Sequence, residues 1–158
     1  MLLYKPADTT CMTKTVLIID DSPDFRETVT DILVDNDFDI YEASCPKEAF
    51  DILFREKVDL ILCDLNMPFT NEKDQIDYVI GSKVGVHTIK ELGYAFPDMP
   101  IICITAENSF AVANAAKQLG DIPLLRKPVP YKTLLGEIDK ACKLPFNQPV
   151  NESELITH

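Results

Sequence analysis

Five short apolar runs, near residues 15–20, 38–43, 58–64, 100–105 and 122–126, alternate with amphipathic stretches along most of this chain. Runs of that length, rich in β-branched residues, suit buried strands. The stretches between them follow helical spacing. Ser22-Pro23 supplies an N-cap and a first helical residue, after which Phe25, Val29, Ile32 and Leu33 share one face. Pro46 opens a second helix with Ala49, Ile52 and Leu53 inward. A third carries Val86, Ile89 and Leu92 and is expected to end near Gly93. A fourth places Ala111, Ala115 and Leu119 inward before Gly120, and a fifth follows Pro130 with Leu134, Leu135, Ile138 and Ala141. Strand and helix thus alternate five times. Right-handed crossovers then demand an α/β fold, a doubly wound five-stranded parallel sheet with helices on both faces.

A chain of 158 residues is enough for one domain with its own core. That domain is expected over 15–142, between an N-terminal tail at 1–14 and a C-terminal tail at 143–158, where Pro145 and Pro149 do not continue a helix. The net charge of −11 argues against sequence-independent binding to nucleic acid or anionic membrane, which needs clustered Lys and Arg. Five cysteines without a CxxC pair fit a reduced, cytoplasmic setting better than a disulfide framework. Cys63 and Cys103 lie inside apolar runs and read as small buried hydrophobes. No signal-peptide core or membrane-spanning run is evident.

Four of the runs end on polar residues of distinct kinds. VLIID ends on Asp20 with Asp21 behind it, VDLILCD on Asp64, IICIT on Thr105 and IPLLRK on Lys127. In a parallel α/β sheet the carboxyl ends of the strands open onto one crevice, so these side chains are expected to meet. Carboxylates, a hydroxyl and an ammonium at one point make a site for a divalent cation and a phosphoryl group. A carboxylate can attack a phosphoryl group and hold it as an acyl phosphate. Mg²⁺, a hard cation bound by carboxylates and phosphate oxygens, would neutralise the repulsion between anionic nucleophile and anionic donor.

These motifs, in this order, resemble the receiver domain of two-component response regulators, the family of the chemotaxis response regulator. VLIIDDSPDFR is similar to its acidic-pair strand and first helix, and LILCDLNMP to its phosphoacceptor strand. IICITAE and LLRKP complete the set, and Gly85 stands fifteen residues before Pro100, as the family's loop glycine does. The resemblance implies a flavodoxin-like (βα)5 fold with strand order 2-1-3-4-5. It implies Asp64 as phosphoacceptor, with Thr105 and Lys127 contacting the phosphoryl group. Asp21 resembles the direct Mg²⁺ ligand, Asp20 the member acting through water, and Asn66 the backbone-carbonyl ligand beside Asp64. The implied protein is a signalling switch rather than an enzyme beyond its own phosphorylation and dephosphorylation. A sensor histidine kinase or histidine phosphotransfer protein would be the donor. Output would run by protein contact through the face of the fourth helix, fifth strand and fifth helix. With no second domain evident, the sequence reads as a stand-alone receiver.

Two departures stand out. Leu124, three residues before Lys127, occupies a place where receivers commonly carry Tyr or Phe, so a rotating aromatic switch is not available there. Between Pro68 and the third helix an insertion at about 69–83 far exceeds the usual βα loop of 2–6 residues. It reads as a tolerated surface loop, or as a lid or partner-docking loop with Ile76, Tyr78, Val79 and Ile80 as its apolar anchor. In receivers the residues two beyond the acceptor and two beyond the threonine influence hydrolysis of the acyl phosphate, so the resemblance, with polar Asn66 and Glu107 there, implies a short to moderate phosphoryl lifetime. Three other readings fit the sequence less well. A haloacid-dehalogenase-type phosphatase favours Asp-x-Asp, where this chain has adjacent aspartates. A flavodoxin-like cofactor binder would not present carboxylates to a phosphate. A receiver reduced to a binding module rests only on the odd loop and Leu124.

Overall fold

The computed structural model describes residues 13–68, 80–106 and 109–143. The expectations about both tails, Ile76, Tyr78, Val79, Glu107 and most of the insertion fall outside those residues. Five strands, β1 (Thr15–Ile19), β2 (Asp39–Ala43), β3 (Leu60–Asp64), β4 (Ile101–Thr105) and β5 (Leu124–Arg126), form one sheet in the order β2-β1-β3-β4-β5. Every pairing is parallel, with Ile18 opposite Glu42 and Leu62, and Cys63 opposite Cys103. That is the expected order 2-1-3-4-5.

Five helices connect the strands: α1 (Pro23–Val34), α2 (Pro46–Arg55), α3 (Ser82–Ala95), α4 (Ser109–Leu119) and α5 (Tyr131–Lys143). Alternation along the strands sorts the core into two layers. Leu17, Ile19, Ile61, Cys63, Ile101 and Cys103 face α2, α3 and α4, meeting Ala49, Leu53, Ile89, Leu92 and Ala115. Val16, Ile18, Leu60, Leu62, Ile102 and Ile104 face α1 and α5, meeting Val29, Leu33, Leu134 and Ile138. Because β1, β3 and β4 are covered on both sides, their side chains are almost all fully buried. Each such aliphatic side chain is worth roughly 1.5–3 kcal/mol against exposure.

The helix ends follow local chemistry. Ser22 Oγ accepts from Phe25 N at 3.3 Å and Pro23 sits in the first turn of α1. At its other end Asp37 takes φ 67°, and Phe38 N reaches back to Leu33 O at 3.0 Å. Gly120, at φ 66°, follows α4 in the same left-handed conformation. Gly93 does not end α3. Nothing crowds its Cβ position, and the helix runs to Ala95, where Pro97 holds Phe96 out of the helical region.

The insertion is shorter than expected at its far end. Ile80–Gly81 pairs antiparallel with Met67–Pro68, and α3 already begins at Ser82. The expected anchor Ile80 therefore belongs to a two-residue ladder beside β3. Just beyond it Gly85 meets the backbone of Leu65, where a Cβ would overlap Leu65 Cα and O. The family's loop glycine has a steric cause here: α3 crosses the residue that follows Asp64 in van der Waals contact.

Candidate functional site at the carboxyl edge of the sheet

Four of the predicted site residues stand at the ends of strands, and Asp21 and Asn66 lie in the loops just beyond. Asp20 follows β1 and continues its ladder, its N–H donating to Ala43 O at 3.0 Å. Asp64 closes β3, Thr105 closes β4, and Lys127 follows β5. Three of these side chains are almost fully enclosed, with exposures of 1% for Asp20, 5% for Asp64 and 0% for Thr105. Their polar groups must therefore find partners within the protein.

They find one another. Lys127 Nζ donates to Asp20 Oδ2 at 2.6 Å and stands 3.5 Å from Asp64 Oδ2. Asp20 Oδ1 accepts from Ser22 N at 2.8 Å, and Asp64 Oδ1 accepts from Asn66 N at 3.1 Å. Thr105 enters through its backbone: its carbonyl accepts from Lys127 N at 2.8 Å, which pins the base of the lysine to the end of β4. Asp21 is exposed, yet carboxylate oxygens of Asp20, Asp21 and Asp64 lie within 4.8 Å of one another. Asn66 is exposed beside them.

Three carboxylates face one ammonium, so the cluster carries excess negative charge. Burial pushes the Asp64 carboxyl up to about 6. The Asp20 charge adds to that rise, while Lys127 and the Asn66 N–H oppose it. An all-oxygen, net-anionic donor set fits a hard divalent cation, and it does not fit a soft one. The nearby thiols offer no competing nucleophile. Burial holds Cys63 well above the ordinary thiol range and pushes Cys103 up to about 12, so both stay protonated.

Sequence reasoning missed two contributors. Phe25 was read as core alone, but its ring also lies beneath the Lys127 ammonium, 4.0 Å from Nζ to the centroid. Arg26 was given no role. Its Nη1 donates to the Asp20 carbonyl, and its Nε pairs with Glu42 Oε1 at 3.2 Å, tying β1 to β2 at the rim of the site. A signal existed: a helix starting at Pro23 necessarily puts its first turn beside Asp20.

A family model described as the response regulator receiver domain matches residues 16–139. The chain belongs to this family. The receiver is 32% identical over 126 residues to the transcriptional regulatory protein GlrR of Escherichia coli (strain K12), a match covering 80% of this chain and 26% of that protein. It is 31% identical over 128 residues to the response regulator protein PilR of Pseudomonas aeruginosa, covering 81% and 26%. The chain thus spans about a quarter of the length of these curated relatives. Among solved structures, a CheY-like receiver domain protein from Methanospirillum hungatei JF-1 superposes with TM-score 0.69 at 21% identity, covering 84% of this chain and 96% of that one. Chemotaxis protein CheY4 of Vibrio cholerae gives TM-score 0.62 at 27% identity, covering 82% and 98%. Receivers are signalling domains of two-component systems, in which phosphorylation and magnesium are typical of the family. Among the described residues no helix is long and apolar enough to cross a membrane.

Proposed function

We propose that this receiver accepts a phosphoryl group on Asp64 from a phosphohistidine of a sensor histidine kinase or histidine phosphotransfer protein. The observation that carries this reading is the meeting of Asp64 with Asp20, Asp21 and Lys127 at one strand edge, with oxygens and ammonium within bonding reach. An Asp64 carboxylate oxygen attacks phosphorus, the bond from phosphorus to the donor nitrogen breaks with its electron pair going to the nitrogen, and an acyl phosphate remains. Mg²⁺, when bound, neutralises the charge that gathers on the phosphoryl oxygens. Asp21, Asp20, Asp64 and the carbonyl of Asn66 are the residues that would hold it.

Lys127 exchanges Asp20 Oδ2 for a phosphoryl oxygen, as a compact point charge able to swing on its stem. Thr105 offers its hydroxyl to the same group and anchors Lys127 through its carbonyl. The chemistry is positioning and charge stabilisation, with no turnover of a separate substrate. Output runs by protein contact through the face of α4, β5 and α5. Leu124 is partly buried there against the core layer of α2, α3 and α4, so switching runs without a rotating aromatic ring at that position, through leucine repacking, backbone shifts or the long loop near Asp64. The setting is cytoplasmic, where such kinases present phosphohistidine.

The test is mass spectrometry after incubation with acetyl phosphate and Mg²⁺. Wild type gains about 80 Da, one phosphoryl group, and the gain disappears with chelator and in Asp64→Asn. A wild-type protein that stays unmodified while a control receiver is phosphorylated overturns the reading.

A further inference from the structure

Lys127 makes a contact that ion pairing does not account for. Its ammonium lies over the face of Phe25, 4.0 Å from the ring centroid, while also reaching Asp20 at 2.6 Å and Asp64 at 3.5 Å. The ring is fixed from its own side. Ser22 Oγ caps the backbone N–H of Phe25, Pro23 stiffens the turn, and the ring packs half-buried against the core layer containing Val16, Ile18 and Leu134. The next residue, Arg26, holds the carbonyl of Asp20. One turn of α1 therefore grips both members of the Asp20–Lys127 pair.

We infer that Phe25 is a positioning residue for phosphoryl transfer, keeping the Lys127 ammonium aimed into the crevice while its oxygen partner changes. The inference rests on the roles proposed above for Asp64 and Lys127. A divalent cation and an incoming phosphoryl group both compete for the carboxylate oxygens that now hold the lysine. The ring competes for neither. It is no metal ligand and carries no net charge, so its quadrupole attracts the ammonium whichever anion stands opposite. The attraction is greatest where water is excluded, and the Lys127 side chain is only 17% exposed. It also narrows the conformations open to a long flexible stem that must be in place when charge develops. A leucine at 25 would fill much of the space and supply none of this.

The experiment uses the full chain with acetyl phosphate and Mg²⁺ and reads the initial rate of acyl phosphate formation. Phe25→Leu is expected to slow it between about three- and thirtyfold, the range spanned by partly to fully desolvated cation–π contacts. Phe25→Tyr and Phe25→Trp keep a ring face and restore most of the rate. Stepwise fluorination of the ring at position 25 preserves its shape while draining the quadrupole, so the rate should fall with each added fluorine. In proton spectra the Lys127 ε-methylene signals lie upfield in wild type and return to ordinary positions in Phe25→Leu. A flat fluorine series in a protein that forms acyl phosphate normally overturns the inference and leaves the proposed function intact. A wild type that forms no acyl phosphate overturns both. Should Phe25→Leu fail to fold, the fluorinated series still decides.

Discussion

The two ends of the same sheet are built on opposite terms. At the amino edge each strand enters with its backbone satisfied by a neighbour. Asp39 N donates to Lys14 O at 2.9 Å, Asp59 N to Thr15 O at 2.8 Å and Ile61 N to Pro100 O at 3.0 Å. Of the two aspartates in this series, Asp59 also turns its carboxylate inward, accepting from Thr15 N at 2.8 Å. At the carboxyl edge three carboxylates crowd within 4.8 Å, and two of them, Asp20 and Asp64, share one ammonium. Charge at the first edge closes a hydrogen bond that folding needs. At the second, the buried charges of Asp20 and Asp64 are held against their mutual repulsion, which favours the protonated form of Asp64. The strands are stabilised at one end so that the other can carry that strain.

Asp64→Asn tests this contrast most severely. It should abolish phosphoryl acceptance and yet stabilise the metal-free protein. Burial raises the Asp64 carboxyl from its ordinary 3.8 to about 6, so the folded state holds the proton more tightly. Stability is therefore lost as pH rises from about 4 to about 6, by roughly 3 kcal/mol if the whole shift counts. Denaturant unfolding with chelator present should show Asp64→Asn more stable than wild type at pH 7.5 and equal to it near pH 3.5. Adding Mg²⁺ should raise the melting temperature of wild type more than that of the variant. A variant less stable than wild type at pH 7.5 without metal would break the comparison.

Gly85→Ala should follow, costing about 3 kcal/mol because the new methyl group overlaps the backbone of Leu65. Leu65 adjoins Asp64, so the remaining folded protein should also accept phosphate more slowly. Asp59→Ala, at the opposite edge, should cost about 1.5 kcal/mol by leaving Thr15 N without its acceptor. Its rate of phosphorylation should stay at the wild-type value. Measured together by unfolding and by acyl phosphate formation, the pair separates damage to the fold from damage to the site. Equal rate losses in both would mean that the two ends are not independent.

How much of this could be read from the sequence depends on the length over which each signal repeats. The strands and helices were legible because apolar runs and helical faces repeat over many residues, and Asp20, Asp64, Thr105 and Lys127 stood out as the points where runs stop. Gly120 and Gly93 look alike in sequence. One adopts a left-handed conformation and follows the end of a helix, the other sits inside one, and only the following Pro97 hints at the difference. The ladder of Met67–Pro68 with Ile80–Gly81 was invisible because two residues cannot show a period. The grip of Phe25 and Arg26 on the site depends on where side chains point from a helical turn. Apolar spacing assigned Phe25 to the core, and that is half of its position.

Ser22→Ala gives the smallest effect and the finest test, since it changes the carboxyl edge without touching a charge. Its hydroxyl caps α1 by accepting from Phe25 N, while its own backbone N–H donates to Asp20 Oδ1. Alanine removes the first interaction and keeps the second. The expected loss is about 1 kcal/mol, that of a helix cap, at every pH between 4 and 8. This flat dependence is what distinguishes it from Asp64→Asn, whose effect grows across the same window. If the destabilising element of the carboxyl edge is its charge, the added stability from Mg²⁺ should be the same in Ser22→Ala as in wild type. A Mg²⁺ increment that shrank in this variant would place the origin of the strain in the backbone of the first turn instead.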